Sequence, residues 1–432
     1  MEKKQDQTFL IAASSNKLKD ELYERAVSEG IEITKTPSLH QLELPDDVMG
    51  HIDKLYETGR YRQVNPYIDK IIAEGDKNCT AQLKDYQKEM CKFQNSSCNA
   101  ITTHKRLLNM TDRNLNKYDN IIVDEDIILK SIIPNQCIIP IAELEKVYRK
   151  TETGSPLAMK IRRALKLIKT ESLFTLPSVE WDDEDDDGMS KRIDIPSFCS
   201  AEKFYYRKPS DEKNLFGDSG SNDSLIFYRP VKLLKSQSKL IIASATANES
   251  IYEYFFGEDR VKFFDCKKAT YQGTLNQYTA QTMSRTCIDK DRSVFDRIGN
   301  MTGIDKVITF KKYSKGPLYF GNTEGLNIYE GKNINVIGTP HQPEWIYKLF
   351  AYTLGLDFDL DAKLKSTVVT HNGYKFPFTT YDDEVLRNIQ FWIVESDLEQ
   401  AVGRARLLRY DCIVNLFSNF PLSQAIIYDS KY

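Results

Sequence analysis

Residues 398–419 read LEQAVGRARLLRYDCIVNLFSN, and Gln400, Gly403, Arg404, Arg406 and Arg409 lie close together there, ahead of a β-type run. A planar guanidinium offers paired donors to the equatorial oxygens of a transferring phosphoryl group, and a charge in that place is worth roughly 10³ to 10⁵ in rate. Arg404, Arg406 and Arg409 are the candidates for this work. Gln400 is suited to sensing a nucleotide or its attacking water, and Gly403 to a close backbone approach. The same residues also fit a basic amphipathic helix docked on a partner.

The complementary chemistry stands far upstream, in residues 120–129, NIIVDEDIIL. A buried strand that ends in Asp124 and Glu125 puts two carboxylates at its C-terminal tip, where open α/β sheets hold their ligands. Asp124 could keep Mg²⁺ through its water shell while Glu125 orients or deprotonates a water. An acidic loop after a strand has the same appearance.

Three further stretches repeat a strand, a small hydroxyl residue and a helix start. Residues 8–13, TFLIAA, precede Ser14, Ser15 and Asn16 and a helical pattern over 17–29. Residues 101–108, ITTHKRLL, carry Thr103, and residues 239–246, KLIIASAT, are a buried-strand pattern ending in Ser244 and Thr246 before a helix over 248–256. At a helix start such side chains either cap the unpaired N–H groups or share them with a phosphate. Between these stretches, the polar helical region 44–100 carries Cys79, Cys91 and Cys98, with His104 close behind. These residues could hold zinc or part of an iron-sulfur cluster, although no C-x-x-C knuckle is present; free core thiols are the plain alternative.

The elements that must position these groups fit a chain of two or three domains at 432 residues. With 59 basic and 62 acidic residues the net charge is -3, so any polyanion-binding surface must be local. No apolar run is long enough for a membrane span, residues 1–7, MEKKQDQ, lack a signal-peptide core, and eight dispersed cysteines read as reduced thiols. A soluble intracellular protein is expected.

Residues 141–170 read as helix interrupted at Pro156, with a basic face of Lys160, Arg162, Arg163, Lys166 and Lys169 that suits either solvent or a phosphate backbone. The acidic stretch opening at WDDEDDDG, 181–188, reads as an insertion or loop. After a hinge at 257–271, strand patterns recur at 274–279, 306–310, 333–338, 390–394 and 412–418. The glycine-rich segment 319–340, YFGNTEGLNIYEGKNINVIGTP, is a phosphate-binding loop or a tight connection.

In this order and spacing the motifs resemble the superfamily 2 helicases, most of all the branch with the iron-sulfur DNA helicases. The carboxylate pair in 123–127 sits where that family keeps its DEAD or DEAH box, and Ser244-Ala245-Thr246 matches its SAT motif. TEGLN at 323–327 with VIGTP at 336–340 is similar to the family's E-G-I-D segment, and QAVGRAR at 400–406 matches its arginine-finger motif. The resemblance covers nearly the whole chain, with 150–235 matching only as insertion.

It implies an α/β protein of two RecA-like domains with mostly parallel sheets. Residues 1–256 would form the first, with insertions at about 44–100 and 150–235, and residues 257–432 the second. It further implies ATP and Mg²⁺ as cofactors, with Asp124 on the metal, Glu125 on the water, and Gly325, Asn327, Gly403 and Arg409 near the nucleotide. Single-stranded or duplex DNA would contact Ser14, Ser15, Asn16, Thr103, Ser244 and Thr246. Other replication proteins are further candidate partners, membranes are not, and the compact build suggests replication in a bacterial or phage-infected cell.

Two departures accompany the match. The sequence contains no G-x-x-x-x-G-K-[ST] loop, and GSPLAMK at 154–160 is no substitute, because Pro156, Leu157 and Met159 deny the backbone a phosphate nest. A front segment bearing that loop is therefore expected upstream of 8–16, and the chain as given is expected to hydrolyse little ATP, because nothing in it holds the β- and γ-phosphates. Three cysteines stand where the branch's cluster has four.

Overall fold

A computed structural model describes residues 7–75, 77–181, 192–208, 223–230, 238–266, 269–322 and 327–429. Two compact units emerge, one of Met1–Pro209 with Gly220–Ala245 and one that includes Thr246–Tyr432. The first contains β1 (Phe9–Ala13), α1 (Asn16–Ser28), β2 (Ile33–Lys35), α2 (Asp46–Glu57), α3 (Tyr61–Glu74), α4 (Lys77–Asn95), β3 (Asn99–Thr103), α5 (His104–Leu108), α6 (Asp112–Leu115) and β4 (Asn120–Asp124). It continues through β5 (Gln136–Pro140), α7 (Ile141–Lys150), α8 (Pro156–Leu167), β6 (Leu173–Thr175), α9 (Ile195–Ser200), β7 (Lys203–Arg207), β8 (Ser224–Tyr228) and β9 (Lys239–Ala243).

Its main sheet is wholly parallel, in the order β2-β3-β1-β4-β9. Such sheets are built from β-branched runs covered on both faces, and Leu10, Ala12, Ala100, Ile101, Ile121 and Val123 accordingly have no exposure. β9 departs from the buried strand that its sequence suggests. It forms an edge, and its residues alternate between exposed and half-buried, with Ile241 38% exposed. The reason is that β4 alone flanks it among the described residues.

The polar region 44–100 folds as α2, α3 and α4 around Val48, Ile52, Leu55, Val64, Ile68, Leu83 and Tyr86. Between β4 and β9 an antiparallel sheet, β5-β8-β7-β6, packs with α7, α8 and α9 on a core of Phe174, Phe198, Phe204 and Phe227. Pro156 begins α8 rather than interrupting one long helix, because its fixed φ and missing N–H suit a first helical turn. A buried ion pair fastens this insertion to the helices: Arg229 Nε lies 2.7 Å from Asp194 Oδ2, and Nη2 donates to the Glu57 carbonyl at the end of α2.

The second unit holds α10 (Glu249–Phe256), β10 (Thr274–Tyr278), α11 (Arg285–Lys290), α12 (Val294–Thr302), β11 (Val307–Ile308), β12 (Ile334–Ile337), α13 (Glu344–Leu354), β13 (Lys365–His371), β14 (Tyr374–Thr380), α14 (Glu384–Val402), β15 (Ile413–Phe417) and β16 (Ile426–Tyr428). Its sheet is again all parallel, ordered β11-β12-β15-β10-β16. The expected strand at 390–394 is instead the middle of α14, a helix of 19 residues with eleven buried. A short apolar run such as FWIV does not reveal its period; only the length of the element around it separates strand from helix. β13 and β14 form a hairpin whose turn residues, Asn372 (φ 48°) and Gly373 (φ 79°), are left-handed as a two-residue type I′ turn requires.

Candidate nucleotide and nucleic-acid site

In the first unit the strands β3, β1, β4 and β9 run side by side in one direction. The residues at or just past their C-terminal ends, Thr103, Ser14–Asn16, Asp124–Glu125 and Ser244, therefore emerge along one edge of one sheet. That edge, outside the carboxyl ends of parallel strands, is where α/β sheets bind ligands. Glu125 N donates to the Ala243 carbonyl at 2.8 Å, which extends the β4–β9 pairing past the strand. Glu125 then turns into the left-handed region at φ 75°, a conformation that costs a residue with a Cβ about 1–3 kcal/mol and that clusters at functional sites. Asp126 folds back, its buried Oδ1 accepting from Leu129 N at 2.9 Å.

His104, a candidate metal ligand in the sequence, serves the carboxylate tip. Its Nε2 lies 2.8 Å from the Asp124 carbonyl and its Nδ1 3.3 Å from Ser131 Oγ. A carbonyl can only accept, so Nε2 donates and the Ser131 hydroxyl donates to Nδ1. The ring is 1% exposed and ties the start of α5 to the end of β4.

The hydroxyl residues are occupied locally. Ser15 Oγ accepts from Leu18 N at 3.2 Å and Thr103 Oγ1 from Arg106 N at 3.4 Å, so both cap helices. Asn16 holds Ser38 Oγ at 3.1 Å and receives Lys19 Nζ at 3.1 Å. Ser14, Ser244 and Thr246 are half-buried, and the Thr246 carbonyl accepts from Trp392 Nε1 at 2.8 Å within the second unit.

No group of three His, Cys, Asp or Glu side chains is placed to hold a metal among the described residues. The zinc or iron-sulfur reading of Cys79, Cys91 and Cys98 is thereby corrected. Cys79 is buried in the helical core while Cys91, twelve residues along the same helix, is exposed. That separation is about 18 Å of helix axis, too far for one ion. Cys98 instead contacts Ser96 Oγ at 2.7 Å.

In the second unit α14 runs out through a 3₁₀ turn, Gly403–Ala405, and Arg406 closes it in the left-handed conformation at φ 60°. Gln400, Arg404 and Arg406 are half-buried, and Arg409 is exposed. Arg404 Nε donates to the Gln400 carbonyl at 3.4 Å, and Arg406 Nη2 to Asn327 Oδ1 at 3.4 Å. Gly331 N donates to the Ala405 carbonyl at 3.0 Å, so the glycine-rich segment and the arginine turn are one local structure. The amphipathic-helix alternative for this stretch is replaced by a helix end followed by a turn. Gly403 lies at φ −60°, and a Cβ there would meet no protein atom within 4 Å. Gly325 falls outside the described residues.

A cavity of about 230 Å³ opens at the carboxyl ends of β10, β12 and β15, lined by Thr282, Ser284, Arg285, Thr286, Thr339, His341, Phe378 and Asn419. The sequence motifs reach this cavity only at Thr339, within VIGTP, and at Asn419, the last residue of the 398–419 stretch; Thr282, Ser284, Arg285, Thr286, His341 and Phe378 belong to none of them. Arg285 stacks over Phe310 at 4.6 Å and donates to the His341 carbonyl at 3.1 Å. Burial first, and then the Arg285 charge, push the His341 imidazole down to about 4.

Each unit is built on one five-stranded parallel sheet with candidate groups at its strand ends, which defines the class: an α/β protein of two RecA-like domains. The fold is that of the XPD helicases. One XPD helicase structure superposes with a TM-score of 0.50 at 11% identity, over 96% of this chain and 88% of that one. An apo XPD structure gives 0.47 at 11% over 96% and 87%, and S. tokodaii Xpd4 gives 0.39 at 11% over 98% and 96%. No protein-family model matches the chain. No curated protein matches it either. Among the described residues no helix is long and apolar enough to cross a membrane.

Proposed function

We propose that the chain is the motor part of an ATP-dependent DNA helicase or translocase. The observation that carries this reading is the strained Glu125 beside Asp124 at the tip of a central parallel strand, held from behind by His104. The carboxylates suit a hard cation kept through one or two carboxylates and its own waters, and Mg²⁺ bound there would neutralise charge on a triphosphate. Asp124 would hold that ion, and Glu125 would orient and deprotonate the attacking water. Arg404 and Arg406 would meet the charge that develops on the transferred group, with Gln400, Asn327 and Gly325 beside the nucleotide. Single-stranded DNA would lie along the strand-end residues Ser14–Asn16, Thr103, Ser244 and Thr246.

A second reading is favoured by one specific feature, the lack of any G-x-x-x-x-G-K-[ST] loop in the 432 residues. On that reading the chain clamps nucleic acid without turnover. Steady-state ATP hydrolysis with and without single-stranded DNA separates the two. DNA-stimulated hydrolysis that Glu125→Gln abolishes supports the motor. DNA binding with no hydrolysis, together with an upstream reading frame that encodes no in-frame G-K-[ST] loop, supports the clamp, and failure to bind any nucleic acid removes both.

A further inference from the structure

α8 carries an unusual concentration of charge. Between residues 156 and 170 the chain has five cations and no acid, in a protein whose net charge is -3. The structure separates these cations. Lys160 turns inward, 3% exposed, and donates to the Cys199 and Ala201 carbonyls at 2.7 and 2.6 Å, so it leaves the basic face that its spacing suggests. Arg162, Arg163, Lys166 and Lys169 are all exposed, and their side chains make no ion pair or hydrogen bond among the described residues.

Helical spacing makes this arrangement self-repelling. Arg162 faces Lys166 at i+4, and Lys166 faces Arg163 at i−3 and Lys169 at i+3, where like charges are unfavourable. The helix dipole offers a partial account, since cations near the C-terminus are stabilised. It covers Lys166 and Lys169 but not the arginines in the middle of the helix. The opposite face is fully used, with Leu157, Ala158, Ile161 and Ala164 packed into the insertion core. Only Met159, 58% exposed, is left as outward apolar surface. A membrane-binding helix needs an apolar face free to enter lipid, and α8 has none.

We propose that the outer face of α8 docks a nucleic-acid backbone, with Arg162, Arg163, Lys166 and Lys169 as its phosphate contacts. From Arg162 to Lys166 the helix advances about 6 Å, the run of about two phosphates on one strand of a duplex, and Lys169 lies in the turn just past the helix end at Leu167. Phosphates supply a counter-charge that no described residue provides, and they do so without base recognition. The proposal shares the nucleic-acid partner of the function proposed above but none of its nucleotide chemistry, so it is tested without ATP.

The test compares the wild-type chain with a variant carrying Arg162→Gln, Arg163→Gln, Lys166→Gln and Lys169→Gln, which keeps helix propensity. A third protein, Arg162→Lys with Arg163→Lys, keeps the charge. Binding to a labelled oligothymidylate and to a duplex is measured from about 50 to 200 mM salt. The quadruple variant is expected to lose at least about tenfold in affinity at low salt, and its log–log salt slope to shrink by about 3, from four lost contacts at about 0.7 each on single strands. The lysine variant should keep the wild-type slope. Equal affinity and slope in the quadruple variant would overturn the proposal. Wild-type binding to phosphatidylserine vesicles but to neither oligonucleotide would overturn it as well. Loss of ATP hydrolysis in Glu125→Gln with binding retained would leave it standing.

Discussion

His104 Nε2 donates to the main-chain oxygen of Asp124 across 2.8 Å, so a buried ring from the start of α5 fixes the tip of β4. The ring thereby anchors the main chain from which the two carboxylates project. His104→Ala would leave the Asp124 carbonyl and the Ser131 hydroxyl without this partner in a closed environment. A loss of about 1–3 kcal/mol is expected, read as a lower urea midpoint with unchanged slope. An unaltered midpoint would show that the ring is idle.

Glu125 pays for its place with a left-handed backbone at φ 75°. Glycine adopts that conformation without a Cβ penalty, so Glu125→Gly should raise the stability of the chain by up to about 1 kcal/mol while removing the proposed water-activating group. Thermal unfolding checks the first half and DNA-stimulated hydrolysis the second. A destabilised glycine variant would mean that the carboxylate itself holds the turn.

The His341 imidazole, lowered to about 4 by burial and by Arg285, makes stability depend on pH. The unfolded chain takes up a proton below about 6.5 while the folded chain does not until about 4. The unfolded state thus binds more protons in that window, and stability falls as pH drops through it, by up to about 3 kcal/mol. His341→Asn should flatten this part of the Tm-against-pH curve. An unchanged curve would assign the acid sensitivity to other groups.

Position in the sheet predicts unequal responses from two isoleucines of similar sequence context. Ile121 on β4 is fully buried, and Ile121→Ala should cost about 2–5 kcal/mol. Ile241 on the β9 edge is 38% exposed, and Ile241→Ala should cost only about 1.5 kcal/mol. Comparable losses at both sites would show that further structure covers the edge in solution.

Residue type and order alone determined the α/β class, the strand that ends in Asp124 and Glu125, and the joining of Gln400 to Arg406 into one motif. β-branched runs followed by small polar residues are local signals, and parallel strands repeat them at each crossover. Tertiary structure decided what depends on neighbours. The FWIV run became helix because α14 extends far on both sides of it, and β9 became exposed because β4 is its one described neighbour. Cys79 and Cys91 were parted by a straight helix that sequence spacing does not display. His104 passed from candidate ligand to prop for Asp124, and Lys160 left the basic face of α8, because hydrogen-bond partners are chosen in space, by residues twenty to forty positions away.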